Sequence, residues 1–225
     1  MSKDKDYRNT QYCPVLDNVQ EKKQDLEVKI KFESPRTRIF YNKVSDRKSP
    51  YHKMFAEIYN DKCAYCGVIW GLLPVESFEV DHFINEASFL ERANGRAEAG
   101  KLENLVWACI SCNRGKWKIT IPAPYDDILN VDNENISKVF MRDKDFYIRI
   151  CDTYKEDEFI HEFYKELRLD YQTRRLDYLA LQLQGKYRNE KDEVRKSELG
   201  ECLSLLLMRR NRMTTGENSY EKYRG

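Results

Sequence analysis

The 225-residue chain is 41% hydrophobic and 34% charged with a net charge of +1, enough apolar material for one core or for a core plus a small metal-held module. Its first thirty residues are polar, carry no apolar h-region, and are followed by no apolar run of membrane-spanning length, so a cytoplasmic chain with no membrane partner is expected. The near-neutral balance argues against a uniformly basic nucleic-acid-binding domain, but the charge is uneven. From Lys31 to Lys53 seven basic residues face two acidic ones, and from Lys101 to Lys118 four face one.

In chain order, the segment to about residue 25 is polar around one apolar knot, Tyr12-Cys13-Pro14-Val15-Leu16, and reads as an arm with little structure of its own. Glu27 to Glu33 alternates polar with apolar at period two, which predicts a strand. Ser49-Pro50 fits an N-cap and first helical residue, and Met54, Phe55, Ile58 and Tyr59 stripe the helix expected to about Asn60. Phe78–Phe83 and Leu105–Trp107 read as two short strands, with loop or short helix between Glu86 and Leu102, and Asn113–Trp117 opens the next helix. Val139–Met141 and Phe146–Ile150 suggest a hairpin across a polar turn. Apolar stripes at helical spacing follow: Phe159, Ile160, Phe163 and Leu167; then Leu176, Leu179 and Leu183; then, less regularly, Val194, Cys202, Leu205 and Leu206. These are core faces, and the tail from Met213 is polar and frayed. The predicted class is α+β, a ββα-metal unit framed by a four-cysteine clasp with a mainly helical C-terminal region. Its segments are 1–48 (arm and strand), 49–124 (metal-binding unit) and 125–225 (hairpin plus helices).

The most informative pattern is two Cys-x-x-Cys pairs, Cys63/Cys66 and Cys109/Cys112, separated by 42 residues. In a chain without an export signal, such pairs favour metal thiolates over disulfides, and four thiolates make a closed tetrahedral structural Zn²⁺ site. Gly67, directly after the first pair, supplies the backbone freedom a knuckle needs. Cys13, Cys151 and Cys202 are spare, expected as small buried or half-buried residues. His52 and His161 lack partners at ligand spacing and read as surface or packing histidines, and Trp70, Trp107 and Trp117 as cover for the metal-held core. Between and just after the knuckles stand Asp81-His82, Asn104 and Asn113. Phosphodiester hydrolysis needs a base for the attacking water and positive charge beside the phosphate oxygens. A neutral imidazole at His82 suits the first, and oxygen ligands from Asp81 and Asn113 suit Mg²⁺ or Mn²⁺ for the second.

Val80-Asp81-His82, Asn104-Leu105-Val106 and Cys109-x-x-Cys112-Asn113-Arg114-Gly115-Lys116, with Cys63-x-x-Cys66 upstream, resemble the HNH endonucleases of the ββα-metal type, in the variant with zinc knuckles. The resemblance covers about residues 60–118. It implies His82 as general base, Asp81 and Asn113 as ligands of a catalytic Mg²⁺, Asn104 as the residue pinning the histidine loop, and Lys116 near phosphate. Asn113 stands where the family often has histidine, which leaves an oxygen-only protein set. A looser likeness after Trp117 to stand-alone bacterial HNH proteins implies a setting such as phage defence, sometimes beside an ATPase, while the near-neutral charge suggests targeting through a partner or self-association. Double-stranded DNA, nicked one strand at a time, is the expected substrate; an RNA-cleaving nuclease and a non-catalytic zinc module that binds nucleic acid or protein stay open.

Overall fold

The computed structural model describes residues 6–13 and 15–213; Pro14 of the apolar knot and the frayed tail expected over 214–225 lie outside the described residues. The fold is α+β, with two small antiparallel sheets of two strands each among helices. The first half of the chain runs through α1 (Val19–Glu33), α2 (Tyr41–Val44), α3 (Pro50–Ile58), β1 (Phe78–His82), α4 (Gly95–Ala99), β2 (Leu105–Cys109) and α5 (Ile110–Lys116). The second half contains α6 (Tyr125–Ile128), α7 (Ile136–Val139), β3 (Phe140–Arg142), β4 (Ile148–Ile150), α8 (Glu158–Glu166), α9 (Gln172–Asn189) and α10 (Glu193–Arg212). No described helix is long and apolar enough to cross a membrane.

The strand expected over Glu27–Glu33 is instead the second half of α1. Its alternation is incidental: Ile30 is buried, while Val28 and Phe32 are 68% and 86% exposed. The period that matters is Val19, Lys23, Leu26 and Ile30, all buried on one helix face. Lys23 belongs to that face because its ammonium is ion-paired with Asp132 and donates to the Leu105 carbonyl at 2.6 Å, while Tyr59 donates to the other Asp132 oxygen at 2.6 Å. A cation in an apolar stripe hid the helix from periodicity.

The N-terminal segment also departs from the expected unstructured arm. Tyr7 and Arg8 are buried, and buried apolar residues from Tyr7 to Leu169 form one cluster, so the three segments share a core. The Arg8 guanidinium donates at 2.7 Å to the carbonyls of Ala64 and Val131, and Asp6 holds its other edge. Burying a guanidinium is favourable only with such full satisfaction, and it ties the chain's start under the first cysteine pair.

Elsewhere the local signals hold. Ser49 caps α3 by accepting from the Tyr51 amide at 3.2 Å. β1 pairs with β2 in a register that sets Phe78 opposite Cys109 and His82 opposite Leu105. The helix expected from Asn113 starts earlier, at Ile110, directly after β2 ends in Cys109, and β3 pairs with β4 as the expected hairpin. Cys13 is buried and Cys151 half-buried, but Cys202 is exposed. Of the tryptophans only Trp107 is core, stacked on Phe78 with ring centroids 5.8 Å apart; Trp70 and Trp117, expected as cover, are exposed, the latter by 82%. His52 packs edge-on against Trp107 and bonds the Val44 carbonyl, and His161 bonds that of Lys155, both packing roles as expected.

Candidate metal centre and adjoining polar site

The first knuckle leaves α3 and turns tightly: the Gly67 amide donates to the Cys63 carbonyl and the Cys63 amide to that of Val68. Gly67 has φ of 78°, and a Cβ there would lie 2.5 Å from the Arg8 carbonyl oxygen, so both conformation and space demand glycine. The second knuckle spans the end of β2 and the first turn of α5. The Ala64 amide bonds the Trp107 carbonyl at 2.8 Å, which joins the knuckles through backbone.

The four sulfurs of Cys63, Cys66, Cys109 and Cys112 lie within 4.8 Å of one another, all buried. Cys66 Sγ and Cys109 Sγ are 3.8 Å apart, close to the edge of about 3.8 Å of a tetrahedron with metal–sulfur bonds of about 2.3 Å. The cluster can therefore hold a metal ion such as zinc. Hydrogen bonds from the other three thiols hold Cys109 well below the ordinary thiol range, while burial pushes Cys66 and Cys112 up. Four thiols in one dry pocket share little negative charge unless a cation joins them, and a bound cation lets all four ionise.

One residue of this centre escaped the motif. Arg174, in the first turn of α9, directs its guanidinium at the sulfurs, 3.4 Å from Cys66, 3.3 Å from Cys112 and 3.9 Å from Cys109, and also bonds Ser111 Oγ and the Leu167 carbonyl. Burial opposes its charge, yet the thiols of Cys112, Cys66 and Cys109 hold it more firmly protonated than a free arginine. Nothing in the sequence marks it, because a buried arginine and a solvated one look alike 62 residues from the nearest ligand.

The polar residues spread around β1. Glu79 and Asp81, two apart on the strand, both meet α5. Asp81 is buried, accepts from the Tyr65 hydroxyl at 2.7 Å, and has the Lys116 ammonium 3.4 Å from its other oxygen. Burial pushes its pKa up to about 6 despite Lys116 and Tyr65. Asn113 donates its amide to Glu79 at 2.8 Å, a carboxylate the motif did not include. His82 ends β1 half-exposed, its ring stacked on Tyr41 of α2 at 4.4 Å. Among the described residues no hydrogen bond engages that ring, and burial holds its pKa below the ordinary histidine value, so it is neutral at pH 7.

Asn104 accepts from the Ile84 amide at 2.8 Å, donates to the carbonyls of Ile84 and Ala99, and its own carbonyl receives the Phe83 amide. It thus pins the turn that follows His82. Lys116, expected near phosphate, is 1% exposed and donates to the His82 carbonyl at 2.6 Å, to that of Phe83 and to Asn85. It is a buried brace, because the turn after His82 presents inward carbonyls that need a donor. The structure therefore gathers Asn104, Lys116 and the His82 turn together, and Asn113 with Glu79, while Asp81 is held by Tyr65 and Lys116. No family model, curated protein or solved structure matches the chain.

Two outcomes follow. Lys116→Met strands two carbonyls and the Asp81 carboxylate, so urea unfolding is expected to show a loss of about 3 kcal/mol or more; unchanged stability would return Lys116 to the surface role. The purified chain is expected to carry one zinc ion, and Arg174→Gln to release it to a chelator about tenfold faster, followed with a colorimetric zinc indicator. Equal release rates would separate the guanidinium from the metal centre.

Proposed function

We propose that the chain is an HNH-type endonuclease that hydrolyses phosphodiester bonds of DNA, built on a structural Cys63/Cys66/Cys109/Cys112 zinc site. The observation that carries this reading is His82: a neutral, half-exposed imidazole at the end of a strand, its ring bonded to no other group among the described residues, stacked on Tyr41 and followed by a turn that Asn104 and Lys116 make rigid. A neutral, half-exposed base on a fixed backbone is what proton abstraction from water requires. Asp81 and Asn113, with Glu79 beside them, are hard oxygen donors of the kind that suits Mg²⁺ or Mn²⁺. Such an ion would supply positive charge to the scissile phosphate. His82 takes the proton of the attacking water, Tyr41 holds its ring plane, and Asn104 keeps the turn from relaxing.

The segment before Tyr41 offers a phosphate-binding surface. An open groove of about 620 Å³ is lined by Arg36, Arg38 and Lys43 with no acidic residue, just before and within α2. Arg36 and Arg38 are exposed and in no ion pair among the described residues, and the Tyr41 amide is fixed by the Gly100 carbonyl at 3.1 Å. A basic groove whose lining includes Ile39 and Asn42, the neighbours of Tyr41 in the chain, suits a polyanion. The loose likeness of the sequence after Trp117 to stand-alone bacterial HNH proteins is what suggests phage defence, with an ATPase partner, as the setting.

A second reading rests on Asp81. A carboxylate already matched by a buried lysine and a tyrosine hydroxyl has the environment of a structural ion pair, which favours a non-catalytic zinc module that binds nucleic acid. The two readings separate cleanly. With supercoiled plasmid and Mg²⁺ the first expects open circles, abolished by EDTA and slowed about a hundredfold or more by His82→Ala; intact plasmid, or nicking indifferent to His82, supports the second. The same assay on structured RNA tests the choice of substrate.

Acidity gives an independent check. As pH rises through about 6, Asp81 becomes ionised and able to hold a cation, and His82, whose pKa is lowered, stands unprotonated. Both changes act in one direction, so nicking is expected to climb from about pH 5 to about pH 7; a flat or falling profile contradicts the assignment. For the groove, Arg36→Ala with Arg38→Ala is expected to flatten the log–log salt dependence of duplex binding by about two, measured by fluorescence anisotropy. An unchanged slope would take the groove out of the interface.

A further inference from the structure

α9 and α10 form an antiparallel hairpin. Arg210 near the end of α10 bonds Asp177 in the second turn of α9 at 2.8 Å, and Gly200 near the middle of α10 lies against Tyr187 near the end of α9. Leu199, Leu203, Leu206 and Leu207 are half-buried on this side, and no residue of α10 is fully buried. The opposite side carries Glu201, Leu205, Met208 and Arg212, with Glu198 at its edge beside the groove that Lys186 and Asn189 of α9 also line, every one of the five exposed. Their spacing of three, four, three and four is the seam repeat by which one helix packs along another. Exposed Cys202 and Arg209 flank it.

The order of chemistry along this seam identifies what fits it. Acidic residues come first, apolar ones stand in the middle, and basic ones end it. Against a second α10 running the opposite way about a two-fold axis at Leu205, Glu198 meets Arg212, Glu201 meets Arg209, Cys202 meets Met208, and Leu205 meets itself. A parallel copy would set Glu201 on Glu201 and Arg212 on Arg212, which repels. None of Glu198, Glu201, Arg209 and Arg212 is in an ion pair among the described residues.

We propose that a second copy of this chain docks on the outer seam of α10, antiparallel, with Leu205 on the two-fold axis. The contact is isologous, as symmetric dimers are. One exposed leucine of 59% accessibility and one methionine per chain make it a modest, concentration-dependent interface rather than an obligate one. Because α9 is tied to the sulfur cluster through Arg174, the docked pair holds two metal centres in a fixed relation.

Sedimentation velocity on the full chain over a dilution series tests this, with zinc content and far-ultraviolet circular dichroism as folding controls. The expected result is a reversible monomer–dimer equilibrium. Glu201→Arg sets two like-charged pairs in place of two attractive ones and weakens it about tenfold; adding Arg209→Glu restores it, which only the antiparallel register allows. Leu205→Cys in a Cys202→Ser background gives a symmetric disulfide-linked dimer on mild oxidation of the zinc-loaded protein. A monomer at every concentration, an assembly larger than a dimer, a charge swap that fails to restore association, or no cross-link at position 205 each overturns the proposal.

Discussion

A buried positive charge against a nest of sulfur organises this molecule. Two knuckles that are 42 residues apart in the chain bring four thiols within 4.8 Å, and that much latent negative charge in a dry pocket needs cations. A metal ion such as zinc can be one. Arg174 is the other, and the dependence runs both ways, because a guanidinium with 6% of its residue surface exposed would be costly without the sulfurs beside it. The consequence is architectural: α9 docks where its arginine is neutralised, and α10 follows α9. On the far side of the first knuckle, Arg8 plays a related part through carbonyl oxygens. The four-cysteine cluster is thus gripped by segments from before the first knuckle and after the second.

The same device recurs without metal. Lys23 with Asp132 and Tyr59 locks α1 onto the loop beyond α6, and Lys116 with Asp81 and Tyr65 locks α5 onto β1 and the first knuckle. Each joins an ammonium, a carboxylate and a phenol, so every partner is satisfied where solvent is absent. Such triads contribute little net energy compared with apolar packing, but they admit few alternative arrangements.

Around β1 this economy has a functional edge. Asp81 is drawn inward by Tyr65 and Lys116, Asn113 is directed to Glu79, and the imidazole of His82 is left outward on Tyr41. The strand separates a charged, buttressed inner side from a half-open outer one within two adjacent residues. Nuclease chemistry and a purely structural ion pair make different demands on the same carboxylate, and the acid–base behaviour of Asp81 is where they diverge.

What was legible in sequence was whatever is encoded locally or by rigid spacing. Two Cys-x-x-Cys pairs specify a four-sulfur cluster, because thiolate geometry leaves few other uses for them; Ser49-Pro50 announces a helix start; short β-rich runs announce β1, β2 and the β3–β4 hairpin. Asn104 is set beside the His82 turn only by the family resemblance; in the structure its partners lie on that turn and the β1–β2 pairing brings it there. What only the tertiary structure decided were the partners of charged groups. Lys23 in an apolar stripe disguised a helix as a strand, Lys116 turned inward instead of toward solvent, Glu79 claimed Asn113, and Arg174 reached the sulfurs from α9. The physical reason is common to all four: a long charged side chain is stable in water or in the interior, and which of the two it adopts depends on a counter-charge or carbonyl supplied from a distant part of the chain.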